Sequence, residues 1–153
     1  RFVIIKGRID DAVVTIVNIY VPPESDRTFL KMLFDTIISF SEGVLVCAGD
    51  LNTILNYALD TTSHKKQKTA RSKDLNILIR ELGLFDVWRD LHNKEREFTH
   101  YSATYKVHSR IDLFLMNTID RPKVKECLIG TSDISDHNII YLFIGLSKRP
   151  KTT

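Results

Sequence analysis

The stretch of this 153-residue chain that decides the fold is Val44-Leu45-Val46-Cys47-Ala48-Gly49-Asp50-Leu51-Asn52. Five apolar residues in a row predict a buried strand over 44–48, which Gly49 ends. Asp50 and Asn52 follow, and in extended backbone residues two apart project from the same face. A carboxylate there can orient or deprotonate water, and an amide can donate to a phosphate oxygen. The same pair is also typical of an Asx-turn after a strand, and both interpretations stay open.

Asp136 and His137 form a second polar cluster, directly before the apolar strand predicted over 139–144. If that strand runs antiparallel to 44–48, the two residues lie at the same sheet edge as the acid and the amide described above. A carboxylate is a ligand of hard cations, and an imidazole can hydrogen-bond a phosphoryl oxygen as charge develops on it. Acidic residues, an amide and an imidazole at one edge predict metal-assisted phosphate chemistry.

Asp112 belongs to a third cluster, Ser109-Arg110-Ile111-Asp112, at the start of an otherwise apolar strand. A carboxylate in that position is costly to bury without a partner. A histidine partner would fix the tautomer of the ring and support its charged form. Arg110 is the rival partner in a surface ion pair, although from the same face of the strand it can instead reach a phosphate. The sequence leaves both pairings open.

Two further features bear on a phosphate ligand, and each has a plain structural alternative. Tyr20 ends a predicted strand directly before two prolines, where its hydroxyl can contact a phosphate or its ring can simply pack half-buried. Five basic residues with no acid among them lie between 61 and 73, namely Lys65, Lys66, Lys68, Arg71 and Lys73. Such a run is typical of a solvated loop, and beside a phosphate-cleaving edge it favours contacts with a nucleic-acid backbone.

Hydrophobic periodicity predicts a mixed α/β class with helices covering the faces of a sheet. A hairpin, two longer helices and a helical turn alternate with the strand over 44–48, and strands fill the last third. The predicted elements are strands 2–6 and 12–20, a helix capped by Ser25 or Asp26 and running to 40, a helix capped by Ser72 and ended by Gly83, a helical turn over 84–91, and strands 97–101, 109–117, 124–129 and 139–146.

The amino-acid composition limits the classes of protein to which this chain can belong. Apolar content of 43% and charged content of 27% are ordinary for a globular protein, and the length fits one core over 1–147 with a basic tail over 148–153. A net charge of +3 is compatible with a polyanionic partner. No apolar run approaches the roughly 20 residues that span a bilayer. Cys47 and Cys127 lie in apolar segments and predict reduced core thiols in an intracellular setting.

Four motifs in order resemble those of the endonuclease/exonuclease/phosphatase superfamily. The connecting sequence is most similar to the endonuclease domain of LINE-type retrotransposons, a relative of apurinic/apyrimidinic (AP) endonucleases, and Glu97-Phe98-Thr99-His100-Tyr101-Ser102 falls where that family has an aromatic-Thr-aromatic segment. The resemblance covers the chain from Val13 to Leu146. The four motifs are Asn18-Ile19-Tyr20-Val21-Pro22, Gly49-Asp50-Leu51-Asn52, Ser109-Arg110-Ile111-Asp112 and Ser135-Asp136-His137.

The resemblance implies a four-layer α/β sandwich, in which two mainly antiparallel sheets pack together between outer helices. It implies a monomeric domain of a larger polyprotein that hydrolyses DNA phosphodiesters with magnesium or manganese, acts in the nucleus and has no membrane partner. The roles that it implies are water orientation by Asp50, phosphate contact by Asn52 and Tyr20, transition-state stabilisation by His137 with Asp112 as its orienting partner, and metal binding by Asp136. The implied DNA contacts are Thr99, Arg110, Lys106, Lys65, Lys66, Lys68 and Arg71, with the hairpin tip over 103–108 entering a groove.

Two departures from the family pattern qualify these expectations. The family has an Asn and a metal-ligating Glu upstream of the Tyr motif, and this chain starts after the positions where they are expected. It also begins without Met, so we expect the C-terminal portion of such a domain, with weakened metal affinity and with catalysis that is low or absent. His100 occupies a position where the family often has a large aromatic residue. The alternatives are another phosphoesterase of the same fold and a non-catalytic nucleic-acid-binding remnant.

Overall fold

The computed structural model describes residues 1–65 and 68–146; Lys66 and the predicted basic tail over 148–153 lie outside this part of the chain. Nine strands and three α-helices are present in the described residues, with one 3-10 helix over Thr118–Lys123. The helices are α1 (Arg27–Phe40), α2 (Ala70–Glu81) and α3 (Val87–Leu91). The strands are β1 (Phe2–Ile9), β2 (Ala12–Tyr20), β3 (Val44–Asp50), β4 (Leu84–Asp86), β5 (His100–Ser102), β6 (Val107–Ser109), β7 (Asp112–Asn117), β8 (Val124–Ile129) and β9 (Ile140–Ile144).

A five-stranded sheet in the order β1-β2-β3-β7-β4 forms the centre of the molecule. Only β2 and β3 pair in parallel, while the other neighbours are antiparallel. The register places Tyr20 beside Asp50, and Asp50 beside Asp112. Three of the predicted site residues therefore lie in one row across the ends of three adjacent strands.

Helices α1 and α2 cover one face of this sheet because their apolar sides match it. Asp26 caps α1 by accepting a hydrogen bond from the backbone N–H of Phe29 at 2.8 Å, and the helix buries the predicted apolar face. The predicted cap of α2 is wrong by one turn: Thr69 is the cap, and its hydroxyl accepts from the N–H of Ser72. Ser72 is instead buried, and its hydroxyl donates to the carbonyl of Ile54.

The opposite face of the sheet packs against α3 and the two-stranded sheet of β8 and β9. Side chains of β3 alternate between the two faces of the sheet and contribute to a hydrophobic core on each. Leu45 and Cys47 face the long helices, while Val44 and Val46 face α3 and β8. The α/β class, with mixed and antiparallel sheets flanked by helices, is confirmed. No helix among the described residues combines the length and apolarity needed to cross a membrane.

Four sequence predictions about the strands need correction. The predicted strand 97–101 begins only at His100, and the predicted helical turn over 84–91 starts as β4, which pairs with β7. The predicted strand 109–117 is broken between Ser109 and Asp112. The antiparallel pairing of 44–48 with 139–144 is wrong, because β3 pairs with β2 and β7 whereas β9 pairs with β8.

Both cysteines are free and buried, as predicted. Burial raises the pKa of Cys47 and of Cys127 to about 12 each. The two thiols are therefore protonated at neutral pH and pack as small apolar groups.

Candidate active site

Three ionisable residues converge at the carboxyl end of β3. Asp50 ends this strand, Asp112 begins the neighbouring β7, and His137 reaches both from the loop before β9. One ligand atom from each residue lies within 4.8 Å of the others. His137 Nδ1 is 2.8 Å from the Oδ2 of Asp112, so this carboxylate fixes the orientation of the ring. We call these three residues the acid–His cluster.

His137 arrives by loop contacts and not by the predicted strand pairing. The loop before β9 is held against the segment that enters β5, and His137 forms an isolated β-bridge with His100. The N–H of Tyr101 donates to the carbonyl of Asp136 at 3.1 Å, and the N–H of Asn138 donates to the carbonyl of Thr99 at 2.6 Å. These backbone bonds on both sides of His137 fix where its ring can lie.

Thr99 positions the carboxylate of Asp112 through the backbone. Its side chain is fully buried, and its hydroxyl accepts from the N–H of Ile111 at 3.0 Å and from the N–H of Asp112 at 3.1 Å. These two bonds replace sheet pairing at the break between β6 and β7. The expectation that Thr99 contacts the DNA backbone is therefore wrong, because no part of the side chain is exposed.

Asp50 and Asn52 form the Asx-turn that was one of their two interpretations, and their role in phosphate chemistry stays a prediction. The N–H of Asn52 donates to Asp50 Oδ1 at 2.8 Å, which is an Asx-turn, and the φ angle of Asn52 is 45°. The side-chain amide of Asn52 donates one hydrogen to the carbonyl of Val21 at 2.9 Å. The turn thus holds both side chains at the edge where Asp112 and His137 also lie.

The surroundings of Asp50 in the acid–His cluster raise its pKa. Burial raises the pKa of Asp50, and the nearby Asp112 carboxylate raises it further. The N–H of Asn52 and the imidazoles of His137 and His100 lower it, without cancelling the rise. A carboxylate with a raised pKa is a stronger proton acceptor than an exposed one.

Tyr20 and Asp136 lie beside the acid–His cluster but outside it. Tyr20 is 44% exposed at the end of β2, next to Asp50 in the sheet. The side chain of Asp136 is 69% exposed, and its Oδ2 lies 3.4 Å from the Nε2 of His100. Asp136 groups with His100 and His137, so its predicted meeting with Asp50 and Asn52 at one strand edge is not observed.

Arg110 is buried and does not pair with Asp112. Its side chain is 1% exposed, and it donates to both oxygens of Asp60 and to both oxygens of Asp86 at 2.6 to 3.0 Å. Arg89 also pairs with Asp60. The predicted phosphate contact of Arg110 and the alternative surface pair with Asp112 are both wrong, because the break after β6 turns the two side chains to different surroundings. We call Arg110, Arg89, Asp60 and Asp86 the arginine cluster.

Arg71 is likewise a structural residue. Its guanidinium donates to the backbone carbonyls of Pro22, Pro23 and Asn52, and its Nε donates to the hydroxyl of Thr53 at 3.0 Å. These bonds clamp the turn after β3 to the segment after β2. Arg71 is only partly buried, and its predicted contact with DNA stays a prediction.

Three predicted DNA contacts remain available on the surface. Lys65 and Lys68 are exposed in the long connection before α2. Lys106 is exposed at the tip of the β5–β6 hairpin, where its φ angle is 52°. Their contact with DNA stays a prediction, and Lys66 lies outside the described residues.

Sequence reasoning missed four residues that matter to the site. The carboxylates of Asp60 and Asp86 pair with the buried Arg110, and Arg89 pairs with Asp60. For the two acids, the sequence signal is a carboxylate next to apolar positions. The ring centroid of His100 lies 4.6 Å from that of His137, with the ring planes inclined by 44°. The family comparison marked His100 as a departure but gave no partner for it.

No protein-family model matches the chain. Among solved structures, the chain is similar to an AP endonuclease from Archaeoglobus fulgidus (21% identity, TM-score 0.73) and to the endonuclease domain of TRAS1, a telomere-specific non-LTR retrotransposon (20%, 0.74). It is also similar to the 3′ phosphatase NExo from Neisseria (19%, 0.69). The matches cover 92%, 96% and 93% of this chain, and the chain spans 64% of the length of each. The chain therefore shares the fold of these nucleases, as predicted.

Proposed function

We propose that this protein, which has the fold of the endonuclease/exonuclease/phosphatase superfamily, hydrolyses phosphodiester bonds of DNA as an endonuclease. The acid–His cluster carries the proposal: an imidazole oriented by one carboxylate lies next to a second carboxylate whose pKa burial raises. The retrotransposon endonuclease domain among its structural neighbours supports an endonuclease role. As part of the same proposal, the protein nicks target DNA in the nucleus as one domain of a larger polyprotein.

Each residue at the edge has a proposed role that its geometry permits. Asp50 orients a water molecule and accepts its proton, since the raised pKa strengthens it as a base. His137 donates from Nε2 to a phosphoryl oxygen, since its Nδ1 faces Asp112. The remaining amide hydrogen of Asn52 and the exposed hydroxyl of Tyr20 contact the same phosphate group.

The donor set at this edge fits a hard divalent cation such as Mg²⁺ or Mn²⁺. Carboxylate oxygens are the ligands these ions prefer. Asp50 and Asp112 face each other, and their mutual repulsion is only partly offset by the neighbouring imidazoles. The carboxylate of Asp50 would hold the ion, with the ligand atoms of Asp112 and His137 within 4.8 Å of its own. When bound, the cation supplies electrostatic stabilisation to the developing charge on phosphate.

Contact with DNA is proposed through the exposed lysines. Lys65, Lys68 and Lys106 present ammonium groups on two loops, and the chain carries a net charge of +3. A structural neighbour, the Neisseria 3′ phosphatase, was solved bound to a product DNA hairpin. Lysine contacts with phosphates release counterions, so binding should weaken between about 50 and 200 mM salt.

The test is to incubate the protein with supercoiled plasmid and Mg²⁺ and to measure nicked circles on a gel. We expect nicking that stops with a chelator and that disappears in Asp50→Asn. Asp35→Asn is the matched control, because this carboxylate lies on the solvent face of α1 and pairs with Lys31. Equal nicking by wild type and Asp50→Asn would reject the proposed mechanism.

Two other outcomes separate the alternative functions. Release of phosphate from a small ester without plasmid nicking identifies another phosphoesterase. Salt-sensitive DNA binding without hydrolysis of either substrate identifies a non-catalytic binding protein. DNA binding that is indifferent to salt excludes a role for the lysines at the phosphate backbone.

A further inference from the structure

We propose that His100, Asp136 and His137 form a binding site for a borderline transition-metal cation such as Zn²⁺, and that this cation inhibits the nuclease. The binding part of this inference stands on the described residues alone. The inhibition part rests on the proposed function, because it requires His137 to act on phosphate. The three residues are called the His–Asp–His site below.

The geometry of the His–Asp–His site already approaches that of a coordination sphere. One ligand atom from each residue lies within 4.8 Å of the others, and His100 Nε2 is 3.4 Å from Asp136 Oδ2. Two ligands at 2.0–2.1 Å on a tetrahedral Zn²⁺ are separated by about 3.3 Å. The distance therefore matches two ligands of one ion without movement of the backbone.

The backbone holds the two imidazoles together. His100 and His137 form an isolated antiparallel bridge, and their ring centroids lie 4.6 Å apart with the planes inclined by 44°. His137 Nδ1 faces the carboxylate of Asp112 at 2.8 Å, which leaves Nε2 as the nitrogen for a metal. A carboxylate behind a ligating imidazole is the usual outer support of such sites, since it fixes the ring and raises its basicity.

The donor types select the class of metal. Two imidazoles and one carboxylate are a three-ligand set that suits Zn²⁺ and its neighbours and leaves a coordination position for water. Mg²⁺ and Ca²⁺ prefer oxygen donors and gain little from the imidazoles. The side chains of His100 and His137 are 23% and 31% exposed, so an ion can enter from solvent.

Occupation of the His–Asp–His site would remove His137 from the proposed reaction. A cation on His137 Nε2 takes the position that faces phosphate, so this ring could no longer donate to a phosphoryl oxygen. We expect Zn²⁺ to inhibit nicking and excess chelator followed by Mg²⁺ to restore it.

Metal binding is measured first, without any substrate. Titration with Co²⁺ followed by visible absorption, and with Zn²⁺ by calorimetry, should give one ion per chain in the wild type. His100→Phe and Asp136→Asn should each weaken binding at least tenfold. His108→Phe is the matched control, because His108 lies on the same hairpin and faces Tyr101 instead of this site. Equal affinity in wild type and His100→Phe overturns the inference.

Folding of the variants is checked by circular dichroism, and His100→Gln replaces His100→Phe if the latter unfolds. In the nicking assay the readout is the Zn²⁺ concentration for half inhibition within each variant, which should rise at least tenfold in His100→Phe. If the protein never nicks DNA but binds Zn²⁺, and His100→Phe abolishes that binding, the metal site is supported and the proposed function is rejected. If the protein nicks DNA but does not bind Zn²⁺, the proposed function is supported and the metal site is rejected.

Discussion

The acid–His cluster and the arginine cluster both place two carboxylates close together, but they balance the charge in opposite ways. In the arginine cluster Asp60 and Asp86 face two guanidinium groups, and the Arg110 side chain is fully paired. In the acid–His cluster Asp50 and Asp112 share one imidazole, and burial raises the pKa of Asp50. Paired buried charge fixes the fold, whereas charge left in excess at an accessible edge is ready for a cation or a phosphate.

The two clusters are linked by one short segment of chain. Arg110 and Asp112 are two residues apart and would share a face in a continuous strand. The hydroxyl of Thr99 accepts from the N–H groups of Ile111 and Asp112 and breaks the strand there. One side chain therefore enters the core and the other reaches His137.

The largest effect is expected from breaking the arginine cluster. Arg110→Met should lower the free energy of unfolding by about 3–5 kcal/mol, because it leaves two buried carboxylates with too little positive charge. Urea denaturation measures the change. The matched control is Arg27→Met, which removes an exposed pair with Asp74 at 3.7 Å and should change stability by less than about 0.5 kcal/mol. Similar losses in both variants would contradict the structural role of Arg110.

Substitutions in the acid–His cluster should lower the nicking rate and leave the free energy of unfolding close to that of the wild type. His137→Gln and Asp112→Asn should each reduce the nicking rate by about 10²–10³-fold, because phosphate loses an oriented donor. Their unfolding free energies should stay close to wild type, since His137 lies in an accessible loop. Plasmid nicking and denaturation of the same samples make the comparison. A variant that unfolds as readily as Arg110→Met would show that this cluster also holds the fold together.

Thr99 connects the two clusters and should affect both properties. Thr99→Val should cost about 1–3 kcal/mol, because two buried N–H groups lose their acceptor. Nicking should also fall, since Asp112 is no longer held opposite His137. Thr99→Ser keeps the hydroxyl and should restore the nicking rate. Failure of Ser to rescue would show that the methyl group of Thr99, and not its hydroxyl, sets the position of Asp112.

The features of the fold that depend on local hydrophobic pattern and on the order of the motifs could be predicted from the sequence. The hairpin, α1, β3 and β8 follow from apolar periodicity and a cap at Asp26, and the order of the motifs predicted the fold shared with the solved structures. The roles of Thr99, Arg110 and Arg71 could not be read in the same way. Their partners lie at least 10 residues away in the chain, and burial alone decides whether a polar side chain serves DNA or the core. The position of His137 likewise depends on backbone bonds between two loops.

The smallest predicted effect distinguishes the two clusters by its sign, because an Asp→Asn substitution should change the free energy of unfolding in opposite directions in the two clusters. Asp50→Asn should raise the free energy of unfolding by roughly 0.5–2 kcal/mol, since it removes a poorly solvated charge next to Asp112 while the new side-chain oxygen still accepts from the N–H of Asn52. Asp60→Asn should lower it, because Arg110 and Arg89 lose a buried partner.

The pH dependence of the Asp50→Asn effect follows from the direction of the shift. The pKa of Asp50 in the fold lies above its unfolded value, so this carboxyl group favours folding at acid pH, and that contribution is lost as the pH rises through the raised pKa. The stability gain of Asp50→Asn should therefore grow as the pH rises through the raised pKa and vanish below about pH 4, where the carboxyl group is protonated in both states. Wild-type nicking should fall over the same interval, since the base becomes protonated. A gain that persists at acid pH would mean that the charge of Asp50 is not its cause.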